Sequence, residues 1–261
     1  MRKVEIEKYD LSTKTSKKIT DYVAEEKPLH LFVNATYWAT ILCSPSNLKE
    51  MAVGHLLSEG ILKSTSEIEE VNLKETEGSC YVKLKAEVNV EERLSLSRLH
   101  QRVVTSACGE QSIYQYKRKP AKVTSNLQVK ADIVFNAVNQ LNFKAEVFRQ
   151  TGGVHAAAIY TADGAMVALA EDVGRHNAVD KVIGMAALKQ TRFDECFLTS
   201  TGRLSGDIVF KASKVGLPIV ASLGAALDSG VAMAEKANLT LAGFVRGKRM
   251  NIYCHPERIP L

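Results

Sequence analysis

Residues 171–181 run Glu-Asp-Val-Gly-Arg-His-Asn-Ala-Val-Asp-Lys, which sets acids, cations, an imidazole and an amide around Gly174 between two apolar stretches. A solvated helix face carries its charge as Lys/Glu pairs at helical spacing. A mixture of Asp, Arg, His and Asn beside a glycine points instead to a site, where perturbed polar groups gather. A second candidate lies upstream, in Thr105-Ser106-Ala107-Cys108-Gly109. Small polar neighbours leave the Cys108 thiol reachable, the setting of a nucleophilic cysteine, although Glu110 opposes thiolate formation and a cation from elsewhere must compensate. Cys43, Cys80, Cys196 and Cys254 sit in or beside strand-like sequence, where a buried, inert thiol is the default.

Strand ends feed helix starts three times, at Glu171 to His176, at Ser200-Thr201-Gly202-Arg203-Leu204-Ser205 and at Ser222-Leu223-Gly224-Ala225. In an open α/β sheet such ends gather at one edge, where helix N–H groups hold phosphate. Arg175, Arg203 and Lys211, with Arg246, Lys248 and Arg249, supply charge for a pyrophosphate. The plainer alternative is that they are solvent-facing cations on ordinary connections, since no P-loop or GxGxxG accompanies them. His155 and His176 have no Cys or second His at tetrahedral-site spacing, so each reads as a satisfied polar histidine, not a metal ligand. No G-x-S-x-G elbow is present.

These residues must be positioned by two different patterns. The first hundred residues read as short strands near Val4 and Ile6, Leu29 to Val33, Tyr37 to Leu42, Ile68 to Leu73 and Tyr81 to Ala86. Among them lies one helix, with Asn47 as N-cap, Leu48, Met51, Ala52 and Leu56 on its apolar face, and Gly60 as its stop. Ser95 to Lys119 reads as a long connector exposing Cys108. From Leu127 helices and strands alternate, which implies an α/β layer structure. The expected units are a small α+β domain over 1–105, a connector over 106–125 that carries the cysteine loop, and an α/β domain over 126–261.

The 261 residues are 46% apolar and carry a formal charge of +5, ordinary for a packed protein and too diffuse to argue for nucleic acid. No segment approaches the ~20 apolar residues of a membrane span, and the N-terminal sequence lacks the core of a signal peptide. Five cysteines at irregular spacing make neither a disulfide framework nor a zinc pattern. A cytoplasmic protein with reduced thiols is expected, with no membrane partner.

Thr151-Gly152-Gly153-Val154-His155-Ala156-Ala157, the 171–181 run, and Gly243-Phe244-Val245-Arg246 followed by Asn251-Ile252-Tyr253 resemble the formate dehydrogenase accessory sulfurtransferase family. Ser46 to Leu62 and Thr105 to Gly109 extend the likeness over nearly the whole chain. The resemblance implies a homodimeric sulfurtransferase that accepts persulfide sulfur from a cysteine desulfurase. It then passes the sulfur to a molybdenum or tungsten bis(guanine dinucleotide) pterin cofactor destined for formate dehydrogenase. Cys108 matches the persulfide-carrying cysteine, and Phe244, Val245, Arg246, Gly247, Lys248 and Arg249 match the cofactor-binding stretch. His155, Arg175, His176, Asp180 and Arg203 are assigned to the cofactor pocket, with Gly152 and Gly153 allowing close backbone approach.

Many relatives carry Cys-x-x-Cys at the loop, whereas Cys108-Gly109-Glu110-Gln111 keeps only the first cysteine. The resemblance also implies a larger domain of three-layer, cytidine-deaminase-like α/β fold without the zinc site. Deaminases open one helix with His-x-Glu and begin the next with Pro-Cys-x-x-Cys. Here His176-Asn177-Ala178 has alanine in place of the acid, and Thr201 to Asp207 holds no cysteine. Two rival readings remain open: a chaperone that binds the cofactor without carrying sulfur, and a nucleotide-processing enzyme, which would hold zinc.

Overall fold

In the computed structural model, which describes residues 1–90, 93, 102–104 and 119–261, the N-terminal part builds two sheets. Strands β1 (Arg2–Asp10) and β2 (Thr15–Val23) pair as an antiparallel ribbon. Strands β3 (Lys27–Val33), β4 (Thr36–Cys43), β5 (Ile68–Lys74), β6 (Ser79–Leu84) and β7 (Arg102–Val104) form a five-stranded sheet in the order β5-β6-β3-β4-β7. β2 was not anticipated, because TSKKITDYV lacks an apolar face; its partner β1 defines it through pairing along its whole length. β7 replaces part of the expected connector with a strand parallel to β4. The rest of the cysteine loop, Cys108 included, lies outside the described residues.

Helix α1 (Leu48–Ser58) follows β4, as its apolar spacing predicts, with two corrections. Asn47 holds the N-cap position with a left-handed φ of 54° and no side-chain capping bond. The helix is buried continuously from Met51 to Ser58 instead of along one stripe, because it is packed from both sides.

The C-terminal part begins with α2 (Ala131–Lys144) and the short α3 (Glu146–Thr151). Six strands then assemble in the order β13-β12-β11-β10-β8-β9, namely β8 (His155–Thr161), β9 (Met166–Asp172), β10 (Cys196–Ser200), β11 (Ile219–Ser222), β12 (Thr240–Arg246) and β13 (Arg249–Cys254). β10, β11 and β12 run parallel, and the remaining pairs are antiparallel. Period-two alternation divides the strand residues between two faces. Ala156, Ala158, Tyr160 and Phe197 meet Val134, Val138 and Leu141 of α2. Ala157, Ile159, Leu198 and Val220 face the opposite layer, made of α4 (Arg175–Leu188), α5 (Gly206–Val215) and α6 (Asp228–Ala237). The result is a mixed α/β protein whose larger sheet is a three-layer unit. Among the described residues no helix is long and apolar enough to cross a membrane.

The two parts share one core, in which Leu31, Ile41 and Leu56 join Val179, Ile183 and Leu198. Its centre is the crossing of α1 with α4. A Cβ on Gly54 would lie 1.8 Å from the Asp180 carbonyl oxygen, and one on Gly184 would lie 1.9 Å from that of Glu50. Only hydrogen side chains permit this backbone approach. Gly54→Ala is therefore expected to lower unfolding stability by about 3 kcal/mol, the upper range of core overpacking. Gly216→Ala, at a φ of +85° with no atom within 4 Å of the added Cβ, is expected to cost only about 1 kcal/mol. Denaturant melts of the two variants check the contrast.

Candidate functional site

The strand directions bring one set of chain ends to a single edge of the six-stranded sheet. β10, β11, β12 and β9 end there, and β8 and β13 begin there. Helices α4, α5 and α6 start from the loops that follow β9, β10 and β11. The loops are stacked backbone against backbone. A Cβ on Gly224 would lie 2.6 Å from the Gly202 carbonyl oxygen, and one on Gly202 would lie 2.9 Å from Cβ of Arg175. Ser222 Oγ reaches the carbonyls of Ser200 at 2.8 Å and Gly202 at 2.6 Å, and the Phe244 N–H donates to the Gly224 carbonyl at 2.9 Å.

His155, the first residue of β8, faces Thr201 with Nδ1 3.4 Å from Oγ1. Burial, then the positive charges of Arg175 and Arg203, hold its pKa below the usual histidine value. His176, in the first turn of α4, sets Nε2 3.3 Å from Oγ of Ser205 at the N-terminus of α5. Burial, then Arg175 and Lys211, push its pKa down to about 3, so His176 is neutral at physiological pH. Ser205 makes no capping bond to its own helix; Ser229 Oγ accepts the Gly206 N–H at 3.2 Å instead. At the head of the helix layer His155 thus lies in the field of Arg175 and Arg203, and neutral His176 in that of Arg175 and Lys211.

At the same edge, β12 and β13 are joined by a tight turn in which Gly247 and Lys248 have φ of 60° and 59°. Turns with two left-handed residues match the twist of a hairpin. Arg246, Lys248 and Arg249 are exposed, and Val245 is buried. Phe244 bulges out of register with a φ of 52°, and the Arg246 guanidinium lies 5.4 Å from its ring centre. A bulky residue with positive φ is rare and collects at functional positions. Gly152 ends α3 with a φ of +61° and open space around it, whereas Gly153 packs against the side chain of Ala24.

The other polar residues of the 171–181 run point inward. Asp180 is 1% exposed, and its carboxylate accepts hydrogen bonds from Ser58 Oγ at 2.6 Å and Lys211 Nζ at 2.9 Å, with His55 Nδ1 3.1 Å away. Burial alone would raise its pKa, but the Lys211 charge and the bonds to His55 and Ser58 prevail and hold it below the carboxylate norm. Lys211 also reaches Glu59 Oε1 at 3.0 Å. Asp172 and Lys181, both fully buried, pair at 2.6 Å. Asp172 further accepts the Ser44 and Gly174 N–H groups and the Asn177 amide, each at 2.9 Å. Asn177 donates to the Leu42 carbonyl at 2.8 Å, and Lys181 to that of Ser44 at 3.0 Å. Asp172, Asn177, Asp180 and Lys181 therefore bind α4 and its approach to the β4–α1 segment.

The sequence reading gave no role to His55, Ser58 or Lys181. The available signal was the spacing of Asn177, Asp180, Lys181 and Gly184, which lie on one face of a helix. Cys43 is buried with its thiol pushed up to about 12, and Cys80, Cys196 and Cys254 are buried with theirs at about 11, first by burial in each case. Among the described residues no three His, Cys, Asp or Glu side chains converge as metal ligands.

The model of the FdhD/NarQ family matches residues 24–260. The chain belongs to the FdhD/NarQ family. A relative named sulfur carrier protein FdhD from Bacillus pumilus is 37% identical over 92% of this chain and 91% of its own. Another of the same name from Sulfolobus acidocaldarius is also 37% identical, over 100% of this chain and 99% of its own. The fold matches a crystallised candidate formate dehydrogenase accessory protein from Desulfotalea psychrophila at TM-score 0.79 and 23% identity, covering 99% and 98% of the two chains.

The depressed pKa of His176 gives a pH signature. The unfolded imidazole binds its proton near pH 6.5, and the native one only at about 3. The corresponding stability is fully present above about pH 6.5 and is lost as pH falls toward 3, by at most about 1.4 kcal/mol per pH unit. Denaturant melts between these limits should show that slope in the wild type and a shallower one in His176→Gln.

Proposed function

We propose that this FdhD/NarQ member is a cytoplasmic sulfurtransferase that loads sulfur on Cys108 from a cysteine desulfurase. It delivers the sulfur to the metal of a bis(guanine dinucleotide) pterin bound at the sheet edge and destined for formate dehydrogenase. The observation that carries the reading is the convergence at one edge of three helix starts, Arg175, Arg203 and the exposed Arg246–Arg249 turn. Helix N–H groups and guanidinium forks suit the phosphates of a dinucleotide. Phe244 offers an aromatic face, and neutral His155 and His176 offer hydrogen bonds without further charge. Gly152 and Gly153 border this edge ahead of His155, and Asp180 acts from beneath it, by fixing the helix that presents His176. A deaminase-like ancestry of the sheet belongs to the same reading, with the former metal edge turned to nucleotide binding.

The topology supports access for Cys108. Val104 pairs with Ile41, so β7 leaves its sheet beside Leu42, whose carbonyl bonds to Asn177. Cys108 follows Val104 by four residues, at most about 14 Å of extended chain. The four other cysteines are buried with raised thiol pKa values, which leaves loading to Cys108.

In the loading step the Cys108 thiolate attacks the terminal sulfur of the donor persulfide. A new S–S bond forms, the donor S–S bond breaks, and the donor cysteine leaves as a thiolate. Without a second cysteine in Cys108-Gly109-Glu110-Gln111, an external thiol or the metal centre itself must release the sulfur. That single cysteine also favours the second reading, a cofactor-binding chaperone.

Intact-protein mass spectrometry after incubation with a cysteine desulfurase and cysteine separates the two readings. Sulfur transfer predicts a gain of one sulfur that reductant removes and that Cys108→Ser lacks. An unmodified wild-type chain beside an active desulfurase would support the chaperone.

A further inference from the structure

Among the described residues β9 is an outer strand of the six-stranded sheet, with β8 as its one strand partner. The Thr201 N–H donates to the Ala156 carbonyl at 3.0 Å, so Ala156 and Ala158 turn their backbone groups toward β10, and Ala157 turns toward β9. A strand residue points its N–H and C=O to one side, and its neighbours point theirs to the other. Ala170, the register partner of Ala157, therefore faces β8, while Leu169 and Glu171 face away from the sheet. Two lysines take the flanking carbonyls. Lys189 Nζ reaches that of Val167 at 2.8 Å, and Lys181 Nζ that of Glu171 at 3.4 Å. Between them Leu169 lines a cavity of about 430 Å³, the size of a small-ligand pocket.

The cavity lies between the two places that the proposed sulfur transfer must connect. Ser44 and Ser46 line it directly after β4. β7 runs parallel to β4 with Val104 opposite Ile41, so its end points toward Ser44, four residues before Cys108. Val154 and Glu171 also line the cavity, next in sequence to His155 and Asp172 at the sheet edge. The lysine caps leave room for one residue of an added strand, not for a long one. In an antiparallel pair two opposed residues exchange both hydrogen bonds. The group that matches Leu169 is thus an extended residue with a peptide unit on each side.

We infer that this cavity binds a short peptide thiol, a cysteine flanked by two peptide units, as the external thiol that discharges Cys108. This role rests on the reading of Cys108 as the loaded cysteine, beside which Gly109-Glu110-Gln111 supplies no second thiol. The ligand thiolate attacks the outer sulfur of the Cys108 persulfide. An S–S bond forms to the ligand sulfur, the bond to Cys108 Sγ breaks, and Cys108 leaves as a thiolate without net oxidation. The ligand then holds the persulfide beside the sheet edge.

Glutathione and S-methylglutathione are the probes. Isothermal titration of the full chain with S-methylglutathione, which cannot accept sulfur, should show saturable binding. Ser46→Trp should weaken it roughly tenfold, since an indole at this exposed position fills the cavity without disturbing the core. On persulfide-loaded protein, reduced glutathione should remove the sulfur at a rate that saturates and that Ser46→Trp lowers by a similar factor. Mercaptoethanol, which has no peptide unit, should discharge both proteins equally fast. No saturable binding by the wild type, or binding and discharge that Ser46→Trp leaves unchanged, would overturn the inference. Slower loading by the desulfurase in Ser46→Trp, with glutathione unaffected, would also overturn it and give the cavity to a segment of the donor protein. The titration needs no sulfur on Cys108. A chain that binds S-methylglutathione but never loads would overturn the sulfur-carrier reading, and discharge with it, while upholding the peptide site.

Discussion

The contact of Gly54 with Gly184 is the constraint on which the rest of the architecture depends. Two helix backbones that meet without intervening side chains leave little freedom of spacing, and the crossing ties the five-stranded sheet to the six-stranded one. Buried charges then fix it at both ends. Asp180 and Lys211 engage His55, Ser58 and Glu59 at the C-terminal end of α1, and Asp172, Asn177 and Lys181 hold Leu42 and Ser44 before its N-terminus. Such pairs contribute little net stability over apolar packing, but breaking one strands a charge and costs about 3–5 kcal/mol, so they penalise any other arrangement.

From this follows a division of labour within one stretch of eleven residues, 171–181. The residues facing α1 or β4 hold the frame, while Arg175 and His176, in the first turn of α4, stand at the sheet edge. That placement also explains the chemistry of His176. Its imidazole is half-buried beside Arg175 and within reach of the Lys211 charge, so protonation there is opposed by both solvent exclusion and like charge. Lys211, which helps to hold the frame, therefore also helps to keep His176 neutral.

The alternation of strands and helices after Leu127 was legible because each element carries its own period and its glycine or serine boundaries, and the gathering of loops at one edge followed from it. The four inert cysteines were legible for the same reason. The polar residues of α4 were harder, since Asp180 and a pocket aspartate look alike until their partner helix is known; the partners His55 and Lys211 stand 125 and 31 residues away. β2 was invisible to patterning because both of its faces meet water, and Asn47 occupies a capping position without making the capping bond.

The proposed function requires the sheet edge to bind the phosphates of a guanine dinucleotide. Isothermal titration of the full chain with guanosine diphosphate tests it most directly, comparing wild type with Arg203→Ala and Arg246→Ala. Saturable binding by the wild type, weakened about tenfold by each variant while persulfide loading of Cys108 persists, is the predicted result. Absence of binding by the wild type, or affinities that neither substitution changes, would contradict the assignment of this edge.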